Sequence, residues 1–160
     1  MTILNTRSAK FTMVVLDIMF YGGLVVLFTL PLSLKILGRY YSAKILDYFI
    51  LLFVVFGICG VFGILIIREL RKMMRTVLLE DCFVYDNVAS LKKMTVFSAV
   101  IAAVTIVKIF VLPTPATAVI VLVFFIAALF SRVLAHVFEK AVNYKEENPE
   151  KEEDETDISS

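Results

Sequence analysis

This chain of 160 residues is poor in the side chains that do polar chemistry. It has one histidine, His136, and two cysteines, Cys59 and Cys82. They form no CxxC and no His/Cys cluster, so no set of metal ligands can be read from the sequence. Cys59 lies mid-way along an apolar run and Cys82 in a polar stretch; at different depths, they read as two unpaired thiols in a reduced setting. Glycine is scarce at six residues and builds no phosphate-cradling loop. No Ser/His/Asp set has plausible geometry, and no pair of carboxylates stands at catalytic spacing. The expectation is a non-enzymatic protein with no catalytic residues, no metal and no cofactor.

Polar sequence is scarce too, and that decides the class. The chain is 60% hydrophobic, against roughly 45–50% for an ordinary soluble domain, with a mean hydropathy of +0.89. The excess is gathered in four blocks, each close to the roughly 20 residues that cross a bilayer core. The fold class expected is an all-α membrane protein. Its four-span domain covers 1–145, with spans near 12–34, 45–67, 94–112 and 115–138, a polar loop at 68–93, and a disordered acidic tail at 146–160. Arg7 and Lys10 before an apolar run resemble a signal peptide, but Phe11–Leu34 exceeds a signal h-region of roughly 7–15 residues and no A-x-A site follows. It reads as a retained first span.

Inside the spans, small residues and prolines suggest how the helices pack. Gly22 and Gly23 permit close approach in span 1, and Pro31 is expected to kink or end it. Gly57, Gly60 and Gly63 make a narrow face on span 2 that reads as a seam within the chain; a homo-oligomer seam is the alternative. Thr114-Pro115 reads as an N-cap followed by proline at the first helical position. Spans 3 and 4 then form a tight hairpin with almost no loop. Ala127, Ser131 and Ala135 give span 4 a face of small residues.

The net charge of +1 hides an asymmetry: eight of the fifteen acidic residues lie between Glu146 and Asp157. The basic residues crowd membrane edges. Eleven of the sixteen fall on one side, in the N-terminus, the middle loop and the C-terminal segment, whereas the opposite side holds Lys35, Arg39 and Lys44. The positive-inside rule then puts both termini and the loop in the cytoplasm, N-in and C-in, for a multi-pass protein of a cell membrane.

Arg68–Lys93 is the one long polar interruption between spans. Arg68, Arg71, Lys72 and Arg75 recur at i, i+3, i+4 and i+7, one stripe of a helix that extends span 2 out of the membrane by two or three turns. Such a stripe suits anionic headgroups; being short and without interleaved aromatics, it does not suit direct contact with nucleic acid. Asp86 or Asn87 reads as the N-cap of the next helix, and Lys92 and Lys93 mark its entry into the bilayer.

Charges inside spans cost on the order of 3 kcal/mol at mid-membrane, so they are functional suspects. Asp17 and Arg132 share a depth and have opposite signs; they are expected to pair and tie span 1 to span 4. Lys108, near the outer end of span 3, is expected to snorkel to headgroups. His136 stands one turn past Arg132 at the membrane edge, where an interfacial role outweighs a proton relay.

Two stretches carry a resemblance. The loop E-L-R-K-M-M-R…E-D-C-F-V-Y-D-N-V-A-S-L-K-K is similar to the loop of the YoaS-like family of small bacterial membrane proteins, with Phe83, Asp86, Asn87, Leu91 and Lys92 on its pattern. Glu80 or Asp81 replaces the usual glycine, and Cys82 the usual proline. Val133–Asn148, V-L-A-H-V-F-E-K-A-V-N-Y-K-E-E-N, resembles the family's exit from span 4, although an acidic extension replaces the family's short ending. The resemblance implies a bacterial cytoplasmic membrane and a four-span fold, and supplies no activity. It also implies a cytoplasmic partner such as a small helix-turn-helix regulator, with a regulatory or immunity-type role.

Two functions follow. In the first, the loop binds anionic lipid or a protein partner, through Arg68, Arg71, Lys72, Arg75, Phe83, Asp86 and Asn87. In the second, the chain is a subunit of an oligomeric small transporter or channel, built on Asp17, Lys108, Arg132 and the glycine face.

Overall fold

The computed structural model describes residues 2–41, 47–79 and 83–148. The start of span 2 at Ile45, the turn with Glu80, Asp81 and Cys82, and the tail beyond Asn148 lie outside the described residues. Within them the chain is helical: α1 (Thr2–Tyr41), α2 (Phe49–Leu78), α3 (Tyr85–Val111) and α4 (Pro115–Glu147). All four are long and apolar enough to cross a membrane. A 30-residue α2 is roughly 45 Å long at 1.5 Å per residue, more than the roughly 30 Å of a bilayer core, so its basic end projects beyond the apolar zone.

The helices pack in chain order, α1 on α2, α2 on α3 and α3 on α4. Each seam is antiparallel. Gly23 lies beside Ile64 in the first, Phe62 beside Phe97 in the second, and Lys92 beside Glu139 in the third. Between apolar helices in lipid the driving force is close packing more than water release, and small side chains allow it. The α3–α4 seam is built that way: Ser98 and Ala102 on α3, with Thr117, Ser131 and Ala135 on α4, are all buried. In α3 a third of the apolar span is buried, 33%, against 6% in α1. So α3 is the central helix, α1 rests mainly on α2, and the exposed Phe, Leu, Ile and Val side chains of α1 form an apolar outer surface.

Three boundaries differ from the sequence expectation. Pro31 neither ends nor interrupts α1, which runs on to Tyr41. Proline removes one helical N–H, here the one that would meet the Leu27 carbonyl, and the helix runs through the loss of that single bond. The N-cap of α3 is Val84, with extended backbone and no side-chain bond, not Asp86 or Asn87; both lie in the first turn and are engaged elsewhere. The last helix continues past 138 to Glu147, because Tyr85 and Lys92 give its polar end partners.

Candidate functional site

Two places gather polar side chains. The first is the basic end, where α2 finishes and α3 begins. Here α2 presents its stripe to neighbours on both sides. Arg71 Nε lies 2.6 Å from Asp17 Oδ1 on α1, and its guanidinium carbon stands 5.0 Å from the centre of the Phe20 ring. Neither Nε nor Oδ1 makes an aligned hydrogen bond; charge holds this contact. Lys72 pairs with Asp86 at 3.5 Å. Glu69 accepts from Ser90 Oγ at 2.7 Å and pairs with Lys93 at 3.7 Å.

Further along the same seam the Asn87 amide faces the Thr76 hydroxyl, with Nδ2 at 2.7 Å and Oδ1 at 3.0 Å. On the other flank α3 is fastened to α4. Tyr85 donates to Asn143, Lys92 donates to Glu139 at 3.1 Å, and the rings of Phe83 and Phe138 lie 5.5 Å apart. The segment read as a loop is thus a layer of helix extensions bonded to one another.

The expected Asp17–Arg132 pair is not formed: Asp17 is engaged by Arg71. Equal depth is necessary for a pair but not sufficient, and α1 packs on α2 while Arg132 rides on α4. Arg132 is exposed instead, on a hollow of about 540 Å³ that it shares with Lys92, Thr95, Ala135, His136 and Glu139. His136 is also exposed, and among the described residues no group of His, Cys, Asp or Glu is arranged to hold a metal.

Of the residues expected to meet a partner, Arg68, Lys72, Arg75, Phe83 and Asp86 are exposed, Arg71 is half-buried and Asn87 is buried at 1%. Asn87 is part of the α2–α3 joint and offers no surface to a partner. Arg68 and Arg75 have no carboxylate within 4 Å among the described residues. Glu69 was not foreseen as part of the site; its partners come from a different helix, and no local spacing announces them.

The second place is near the opposite end of α3. Lys108 does not snorkel outward: it is 7% exposed. Its ammonium donates to Thr117 Oγ1 at 3.1 Å and stands 4.9 Å from the centre of the Phe56 ring. Nearby, Thr105 Oγ1 donates to the Ile101 carbonyl at 2.6 Å. With its proton so placed, it is left to accept from the Cys59 thiol at 3.8 Å. Lys108, Thr105 and Cys59 are the polar side chains on a cleft of about 390 Å³ that all four helices line. Gly23, Gly60 and Gly63 form part of its wall.

Set beside known protein families, curated proteins and solved structures, the chain matches none.

Proposed function

We propose that this is a non-enzymatic, multi-pass protein of a bacterial cytoplasmic membrane whose basic end is a docking platform for anionic lipid headgroups. Both termini and the Arg68–Lys93 segment face the cytoplasm in this reading, as the positive-inside rule and the YoaS-like resemblance imply, and the third and fourth spans form a hairpin turned at the outer face. The observation that carries it is the pair Arg68 and Arg75. They stand two turns apart on one stripe of α2, both exposed, with no carboxylate in reach among the described residues. Arg71 and Lys72, between them, are engaged by Asp17 and Asp86. The engaged charges stiffen the platform, and the two left over are available to phosphate, each juxtamembrane cation contributing about 1 kcal/mol near an anionic surface.

The transporter or channel reading needs its intramembrane charges on one path. Asp17 instead stands at the α1–α2 seam, Lys108 is buried near the other end of α3 and Arg132 is exposed on α4, an arrangement that favours docking over conduction.

A photoreactive residue at Leu79, exposed one turn past Arg75, tests the platform in intact membranes. Crosslinks to anionic phospholipid that disappear in Arg68→Gln/Arg75→Gln support it. A soluble cytoplasmic protein in the crosslink, such as a helix-turn-helix regulator, would replace lipid by a protein partner. Crosslinks confined to the chain itself would sink the docking role.

A further inference from the structure

We propose that the cleft ending at Lys108 is a binding site for one anionic phospholipid, with an acyl chain lying in the cleft and the acidic headgroup on the Lys108 ammonium. The site is separate from the basic end and does not depend on it.

The argument begins with charge. Lys108 is more than nine-tenths buried, and no carboxylate lies within 4 Å of it among the described residues. An ammonium has three donors. Thr117 takes one, and the Phe56 face adds a cation–π contact. A buried cation without a counter-ion is destabilising, and an anion arriving at Lys108 offsets that cost.

The shape of the cleft narrows the choice of anion. Apart from Cys59, Thr105 and Lys108, its lining is aliphatic, aromatic or glycine. A small hydrophilic anion would satisfy Lys108 and leave the rest of this surface unused. Along α2 the cleft runs from Val55 to Ile67, roughly 18 Å at 1.5 Å per residue. That is close to half of a bilayer core of roughly 30 Å, the depth of one leaflet. Lys108 stands one turn from the end of α3 at Val111, so the charged end of the cleft lies at the level where headgroups begin.

The walls admit a chain from the side. The cleft is lined by both α1 and α4, yet those helices make no extended seam with each other, so no fourth extended seam closes it to lipid. The glycines provide the room: a Cβ placed at Gly63 would meet nothing within 4 Å. A side chain there would occupy cleft space without displacing the fold.

Native mass spectrometry of the full chain in detergent, titrated with phosphatidylglycerol, phosphatidylcholine or palmitate, tests the site. The expected result is a preference of about tenfold for phosphatidylglycerol over phosphatidylcholine, about 1.4 kcal/mol. Lys108→Gln should abolish that preference, Lys108→Arg should keep it, and Gly63→Leu should weaken retention of both phospholipids. The Arg68→Gln/Arg75→Gln variant removes the basic stripe and should leave the Lys108-dependent share intact, which separates the two sites. Circular dichroism and gel filtration verify that each variant is folded. An unchanged preference in folded Lys108→Gln overturns the headgroup assignment. Unchanged retention in folded Gly63→Leu overturns the cleft as the seat of the acyl chain. Palmitate held as tightly as phosphatidylglycerol overturns the phospholipid in favour of a free fatty acid.

Discussion

Arg71 on α2 and Asp17 on α1 stand 2.6 Å apart, and this contact gives the first helix a polar tie to the rest of the bundle. Since the one extended seam of α1 is with α2, and most of its apolar stretch faces outward, a single charged contact matters more here than it would in a helix held on two sides. Asp17 is also about two-fifths exposed, at 39% of its side chain, so screening limits what the pair contributes.

A double-mutant cycle on Asp17→Asn and Arg71→Gln should therefore return a coupling of about 1 kcal/mol, near the top of the range for exposed pairs. Asp17→Asn and Arg132→Gln should instead add independently. Unfolding by SDS titration measures both. Coupling between Asp17 and Arg132 of the same size would restore the pairing suggested by their shared depth.

Asn87 should behave as a structural residue. Its amide is buried at 1% and faces Thr76, so Asn87→Ala removes hydrogen bonds and leaves polar partners unsatisfied, at a cost of about 1–3 kcal/mol. Phe83→Ala, at a residue 47% exposed, should cost less. Thermal unfolding in detergent ranks the two. A stability of Asn87→Ala equal to that of the unsubstituted chain would return Asn87 to the docking surface.

Topology is open to labelling. With Cys59 and Cys82 replaced by alanine, a cysteine at Ala116 should react with an impermeant maleimide added outside intact cells. One at Val77 should react only after the membrane is permeabilised. Both positions are exposed, so accessibility within the fold does not confuse the readout. The reverse pattern would invert the assigned orientation and move the basic stripe to the outer face.

How far the chain could be read from its sequence follows from which forces act locally. The four apolar helices were legible because span length is a property of consecutive residues. The extension of α2 through Arg75 was legible because its stripe repeats with the helical period. The partners were not. Asp17 could be matched to a cation of equal depth, but the choice between Arg71 and Arg132 depends on which helix packs on which, and depth is blind to that. Lys108 illustrates the same limit: a lysine near a helix end can turn outward to headgroups or inward, and Phe56 and Thr117, contributed by other helices, decide it. Asn87 reads locally as a cap because its short amide can fold back on its own backbone. It is drawn off by Thr76, eleven residues earlier in the chain.

The glycine face offers the sharpest comparison between pattern and packing. Gly57, Gly60 and Gly63 recur every three residues and read as one seam, yet they have different surroundings. A Cβ at Gly60 would stand 2.8 Å from Leu27 Cδ1, whereas at Gly57 and Gly63 it would meet nothing within 4 Å. Leu27 can rotate its terminal methyls, so Gly60→Ala should cost about 1 kcal/mol. Gly60→Val should cost more, within the roughly 1–3 kcal/mol typical of overpacking. Gly57→Ala should be neutral or stabilising by up to about 1 kcal/mol, because alanine is the better helix former and nothing obstructs it. SDS unfolding midpoints of the three variants provide the order. Equal destabilisation at Gly57 and Gly60 would mean that α1 lies against α2 along the whole face, leaving no space for the cleft between them.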